Sequence, residues 1–232
     1  MDKISLNDIE NIEDVIKYIE GESDVVYPQH SAEWYAIRNT TIGGSEVGKL
    51  FTNNKERYDR FSDIIIDRFT DTKEMDTISK FNCNYGTFFA EVTRKVFEDY
   101  HSVQVLETGS IEGFIYPQRY SPDGLAFDND GNLLLCEFKT PVGRKYVPGY
   151  IKDMYRHQVM TGLVTLRYKY KLKAKGMYMD NFMKPSLLKN LKPNNRSFSF
   201  GNNNNIFIPN NFESFVNKKI HYIGVVKIVP ND

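Results

Sequence analysis

Ser121-Pro122-Asp123-Gly124-Leu125-Ala126-Phe127-Asp128-Asn129-Asp130-Gly131-Asn132-Leu133-Leu134-Leu135-Cys136-Glu137-Phe138-Lys139 reads as a hairpin whose two ends carry chemistry. Pro at the second place and Gly at the fourth make Ser-Pro-Asp-Gly a β-turn. Asn129-Asp130-Gly131 is a second turn signal, and the apolar run 133–136 after it is a strand. Side chains alternate faces along a strand, so Glu137 and Lys139 share one face about 6.6 Å apart, and Phe138 points into a core on the other. The carboxylate offers oxygen to a hard divalent cation. The ammonium can orient or deprotonate water held by that cation and steady charge on a phosphate. Asp123 adds a second carboxylate, from the turn between strands at 116–120 and 125–128.

Each part has an ordinary structural reading. Ser-Pro-Asp-Gly serves as a plain turn in many proteins. Glu-x-Lys on a strand is commonly a solvated ion pair. The combination, with a hydrophobic strand leading into the triplet, points to function.

The arrangement resembles the PD-(D/E)XK nucleases, and further motifs narrow the resemblance. Ser31-Ala-Glu-Trp-Tyr-Ala-Ile-Arg38 and Ile42-Gly-Gly-Ser-Glu-Val47 are similar to the amino-terminal signature of the lambda-phage exonuclease family of viral alkaline exonucleases and recombinases. Tyr85-Gly-Thr-Phe-Phe-Ala-Glu91, Ser121-Pro-Asp-Gly-Leu125, Glu137-Phe-Lys-Thr-Pro141 and Tyr155-Arg-His-Gln158 follow in that family's order. The resemblance covers residues 31–165. It implies an α/β (α+β) fold, a restriction-endonuclease-like core with a central mixed sheet flanked by helices.

Composition agrees with this reading. With 232 residues the chain can bury one good core and is long for two. Lys plus Arg balance Asp plus Glu at 30 each, so net charge gives no global sign of nucleic acid. Its placement does: residues 1–24 hold eight acids against Lys3 and Lys17, and residues 139–175 hold ten Lys or Arg against Asp153 alone. That asymmetry suits an anionic partner on one side, or a solvated basic surface. Cys83 and Cys136 are too few for a disulfide framework and read as buried thiols. No signal peptide opens the chain and no run approaches a membrane span, so a soluble intracellular protein is expected, in host cytoplasm or nucleus if viral.

Helical spacing marks residues 6–20, with Ser5 and Asp8 as a capping box. Gly21 to Pro28 is a break, so 1–28 reads as an amino-terminal helical appendage and 29–232 as the nuclease domain. Ser31 and Ser45 can cap helices, the second after a flexible Gly43-Gly44. Helices are expected at 56–69 (Phe61, Ile64, Ile65 and Phe69 inward), 87–100 and 148–164. Strands are expected at 103–106, 113–116, 125–128, 133–139, 166–179 and 222–229, with a loop over 184–211 and a short helix at 212–219. In 166–179, Lys169, Lys171, Lys173 and Lys175 alternate with apolar residues, as a row tracking a DNA backbone or a charged edge strand.

The resemblance implies roles. Asp123 and Glu137 carry Mg²⁺ or Mn²⁺, with the Phe138 carbonyl as a further ligand and Glu91 reaching the metal directly or through water. Glu91 could instead pair with Arg94 or Lys95. Lys139 activates the water. Oxygen ligands favour these ions over zinc, and no His or Cys pair has zinc spacing. Arg38, Ser45, Ser121 and Gln158 correspond to a pocket for a 5′-phosphate, with Tyr155 one turn from Gln158 on the same helix face. Trp34 is expected in the core. The implied activity is Mg²⁺-dependent 5′-to-3′ digestion of one strand of linear double-stranded DNA in viral or phage recombination or genome processing. Implied partners are duplex ends, a single-strand annealing protein and a ring-shaped homotrimer. The alternatives are an endonuclease of the same superfamily acting on DNA or RNA, and a nuclease-fold protein that binds without cutting.

Overall fold

Asp128 shapes the central hairpin. Its Oδ1 accepts the backbone N–H of Asp130 at 3.1 Å and of Asn132 at 2.7 Å, and Gly131 takes the left-handed conformation (φ 76°) that closes the turn. The computed structural model describes residues 4–50, 61–64, 66, 76–140, 150–183 and 220–228. In chain order these form α1 (Ile12–Glu22), α2 (Ala32–Arg38), β1 (Ile42–Gly43), α3 (Gly44–Leu50), α4 (Thr77–His101), β2 (Ile111–Glu112), β3 (Gln118–Tyr120), β4 (Gly124–Phe127), β5 (Leu133–Lys139), α5 (Asp153–Val164), β6 (Ala174–Met183) and β7 (Ile220–Ile228).

The fold is mixed α+β. One sheet has the order β4-β5-β6-β7: β5 runs antiparallel to β4 and parallel to β6, and β7 is antiparallel to β6. A smaller sheet has the order β1-β3-β2. Strand β5 is covered on both faces, which is why it reads as a continuous apolar run. Leu133 and Leu135 pack with Val159 and Leu163 of α5 and with Ile12, Val15, Tyr18 and Ile19 of α1. Leu134, Cys136 and Phe138 face the other way, against Phe97 of α4. Glu137 has the parity of Leu135, so it points toward the α5 side. The amino-terminal helix α1, capped by a reciprocal Asn11–Asp14 box, therefore shares the core that backs Glu137.

Several elements differ from the sequence expectation. Ser5 and Asp8 do pair, at 2.6 Å, but around a short 3-10 turn (Leu6–Asp8); α1 starts later and runs through Gly21. Helix α4 begins at Thr77, before the expected 87. Residues 113–116 form a loop between β2 and β3, and 103–106 contributes a single bridge, Leu106 to Leu125. Residues 61–64 and 66 are helical with Ile64 buried, but Phe61 is exposed. Cys83 is exposed as well, and only Cys136 is a buried thiol.

The largest departure is the lysine row. Thr165–Lys169 is a π-helix that prolongs α5, Lys171 has a left-handed φ of 58°, and the strand starts only at Ala174. Val159, Leu163, Leu166 and Tyr170, all buried, continue one helical stripe. That four-three-four spacing outcompeted the period of two that the lysines suggested. Lys169 pairs with Glu112, Lys171 donates to the Tyr168 carbonyl at 2.7 Å, and Lys175 lies 3.5 Å from Asp128. They form no single ladder. The expected loop over 184–211, the helix at 212–219 and residues Ile65 and Phe69 lie outside the described residues.

Candidate active site

Strand β3 delivers Ser121, Pro122 and Asp123 to the end of β5. There the Asp123 carboxylate accepts the Phe138 N–H at 2.7 Å. In an antiparallel pair the N–H and C=O of one residue point to the same neighbour, so the Phe138 carbonyl faces this edge too. Glu137 has no exposed surface. Its Oε1 accepts from Gln158 Nε2 at 2.6 Å and from the Lys139 ammonium, and Tyr120 O–H stands 3.4 Å from Oε2. Lys139 Nζ lies 3.7 Å from Asp123. Burial, and then the charge of Asp123, raise the Glu137 carboxyl to about 7, with Lys139 pulling in the opposite sense. Burial alone would lower the Lys139 ammonium, but Glu137 and Asp123 hold it above its ordinary value.

Tyr120 backs this cluster, and glycines make room for it. A Cβ on Gly44 would sit 2.4 Å from the Tyr120 ring, and one on Gly162 would sit 2.5 Å from it. The second glycine of Ile-Gly-Gly-Ser is thus a slot for an aromatic ring rather than a flexible joint. Ser45 falls inside the first turn of α3 instead of capping it, and Glu46 accepts the Gly43 N–H at 2.8 Å.

Two cavities meet at the Asp123–Lys139 pair. The smaller, about 400 Å³, has Arg38, Ser45, Ser121 and Gln158 among its lining residues. The larger, about 750 Å³, is lined by Thr87, Glu91, Arg94, Glu107 and Lys152 among others. Gln29, Asp123, Lys139 and Tyr155 line both. In the smaller cavity the Arg38 guanidinium lies 4.5 Å from the centre of the Trp34 ring, whose Nε1 donates to Ser121 Oγ at 3.1 Å. Trp34 is buried as expected, and it also forms cavity wall.

Glu91 is placed differently from its three companions. It is exposed and bound to Arg94, which also reaches Glu107 at 3.1 Å. Among the described residues no group of three or more His, Cys, Asp or Glu gathers to hold an ion. What remains fits a hard cation nonetheless: two carboxylates, one of them fully buried, beside a strand carbonyl. Mg²⁺ characteristically uses one or two carboxylates and keeps water and phosphate for its other positions.

The structure brings in three residues that the motifs did not name. Gln29 donates to the Pro122 carbonyl at 2.8 Å and so steadies the turn that carries Asp123. Arg119 is buried in the smaller cavity's wall, its Nη2 donating to the carbonyls of Val25 and Ser110 at 2.7 Å each. Tyr120 is the third. Arg119 and Tyr120 directly precede Ser-Pro-Asp-Gly, the one signal that marked them.

No family model matches the chain, and no curated protein matches it in sequence. In structure it is similar to an alkaline exonuclease (LHK-Exo) from Laribacter hongkongensis, with a TM-score of 0.51 at 22% identity over 66% of this chain and 74% of the other. LHK-Exo in complex with dAMP gives a TM-score of 0.47 at 22% identity, over 65% and 73%. The fold is that of the first of these two structures. Among the described residues no helix is long and apolar enough to cross a membrane.

Proposed function

We propose that this chain is a divalent-cation-dependent nuclease that removes nucleotides from the 5′-phosphorylated ends of duplex DNA. The observation carrying this reading is that Asp123 and Lys139, with Glu137 bonded behind them, stand between two cavities of different character. The smaller has Arg38 and hydroxyl and amide donors in its wall, the equipment for a terminal phosphate. The larger, at about 750 Å³, has room for the chain that continues beyond the scissile bond. A site built for internal cleavage has no need of an anion pocket beside its carboxylates.

A cation held by Asp123, Glu137 and the Phe138 carbonyl would supply Lewis acidity and a more acidic water. The protein's own groups do the rest. Lys139, held protonated by its two carboxylates, acts as a donor that orients the water and stabilises charge on the phosphate, and is poorly suited to be a base. Arg38, braced on Trp34, fixes the strand end so that the scissile bond reaches Lys139.

End-labelled linear duplexes, 5′-phosphorylated or 5′-hydroxyl, with Mg²⁺ or chelator, test the reading. Digestion of the phosphorylated strand from its 5′ end, only with Mg²⁺, is expected. Efficient cutting of closed circular DNA would turn the assignment to an endonuclease. Binding without cleavage under any divalent ion would remove the enzyme reading.

A further inference from the structure

We infer that Gln158 is a positioning residue for the cation ligand Glu137, and so joins the smaller cavity to the carboxylate pair; this rests on the nuclease reading above. Gln158 lies on α5, and its side chain crosses to β5 to place Nε2 2.6 Å from Glu137 Oε1. Glu137 is the one partner of that amide among the described residues. A carboxylamide nitrogen carries two hydrogens. One is committed to Glu137; the other is left for an anion in the smaller cavity, whose wall Gln158 forms.

Glu137 has reason to need such a partner. Among the described residues its Oε2 has only the longer contact with Tyr120, and its other donor, Lys139, is shared with Asp123. Buried without fixed donors, the carboxylate could turn about its last bond and lose its aim. A cation ligand is effective when a hydrogen bond from behind fixes the direction of its lone pairs, and removing that bond costs roughly 10–100-fold in metal affinity. Gln158 thereby differs from Arg38 and Ser121, which line the same cavity without touching Glu137.

The difference is measurable without nucleic acid. Mn²⁺ binding to the full chain is titrated by the electron-spin signal of the free ion, for the parent, Gln158→Met, Gln158→Leu and Arg38→Ala. Both Gln158 variants keep side-chain bulk on α5 and lose the amide. They should bind Mn²⁺ about 10–100-fold more weakly, while Arg38→Ala stays within about threefold. Cooperative melting in chelator checks that each variant folds, and either Gln158 variant suffices. Parent-like Mn²⁺ affinity in a folded Gln158 variant, with weakened binding of a 5′-phosphorylated duplex, would make Gln158 an anion ligand only and overturn the inference. A parent that takes up no Mn²⁺ overturns the nuclease reading itself.

Discussion

The two cavities beside Asp123 are walled in opposite ways. In the wall of the smaller one, Trp34, Arg119 and Gln158 are buried and hydrogen-bonded, to Ser121, to Val25 and Ser110, and to Glu137, with Arg38 and Ser45 exposed at its rim. Around the larger one, away from Asp123 and Lys139, Glu91 and Glu107 are exposed and both pair with Arg94. Buried hydrogen bonds fix geometry, since breaking one strands a desolvated group. Surface ion pairs are worth little and rearrange cheaply. One wall is thus preorganised for a small, constant ligand, and the other can adjust to a ligand that varies along its length.

If that contrast holds, the steepest effect belongs to the seam. Lys139→Ala should reduce cleavage by about a thousandfold, some 4 kcal/mol of transition-state stabilisation, while Mn²⁺ and DNA still bind. Single-turnover rates at saturating Mg²⁺ measure this. A loss under tenfold would mean that the lysine serves only to balance its carboxylates.

The next effect tests whether burial at the seam favours function over stability. Glu137 is raised from 4.5 to about 7, so in the folded chain its ionisation is opposed. Its contribution to stability is therefore full below pH 4.5, falls as pH rises through 4.5–7, and stays low above. This is opposite in sign to a salt-bridged carboxylate. Glu137→Gln cannot ionise. In chelator, its stability relative to the parent should improve by about 2–3 kcal/mol between pH 5 and pH 8. Urea denaturation at the two pH values gives the difference. A constant offset would mean that Lys139 and Gln158 fully compensate the buried charge.

Smaller again is the effect of removing the guanidinium from the rim of the smaller cavity. Arg38→Ala should slow digestion of 5′-phosphorylated duplex by roughly ten- to a hundredfold, the worth of about 1.5–3 kcal/mol in one charge-assisted contact, and barely change a 5′-hydroxyl substrate. Equal slowing of both would make Arg38 a support for Trp34.

What the sequence made legible follows the same division. The β4–β5 hairpin was readable because Asn-Asp-Gly and a full apolar strand are local signals, and Asp123, Glu137 and Lys139 lie within or beside it. Arg38, Ser45, Ser121 and Gln158 were named through motif resemblance, and the fold draws them to one cavity. The bond of Gln158 to Glu137 was not readable, because it forms between a helix and a strand separated by a crossover. Gln29 reaches Pro122 across 93 positions, which no local pattern encodes. The lysine row was misread because surface charge at every second place imitates a strand, while the buried Leu166 and Tyr170 set the real period.

The smallest effect should come from the adjustable wall, at Glu91. Its carboxylate is exposed and held by Arg94, on the larger cavity and away from Glu137. Were it a direct cation ligand, its loss would rival that of Asp123. As placed, it can serve a cation only across water, or only hold Arg94 in position. Glu91→Ala should therefore reduce cleavage less than tenfold, and leave Mn²⁺ affinity within about threefold. Releasing Arg94 also exposes a positive charge to the continuing strand, so the variant's duplex affinity should rise slightly at low salt and match the parent at high salt. Parallel titrations of Mn²⁺ and of duplex at two salt concentrations read both effects. A loss of Mn²⁺ binding as large as that of Asp123→Ala would mean that Glu91 abandons Arg94 when the ion arrives, and that the adjustable wall is part of the metal site.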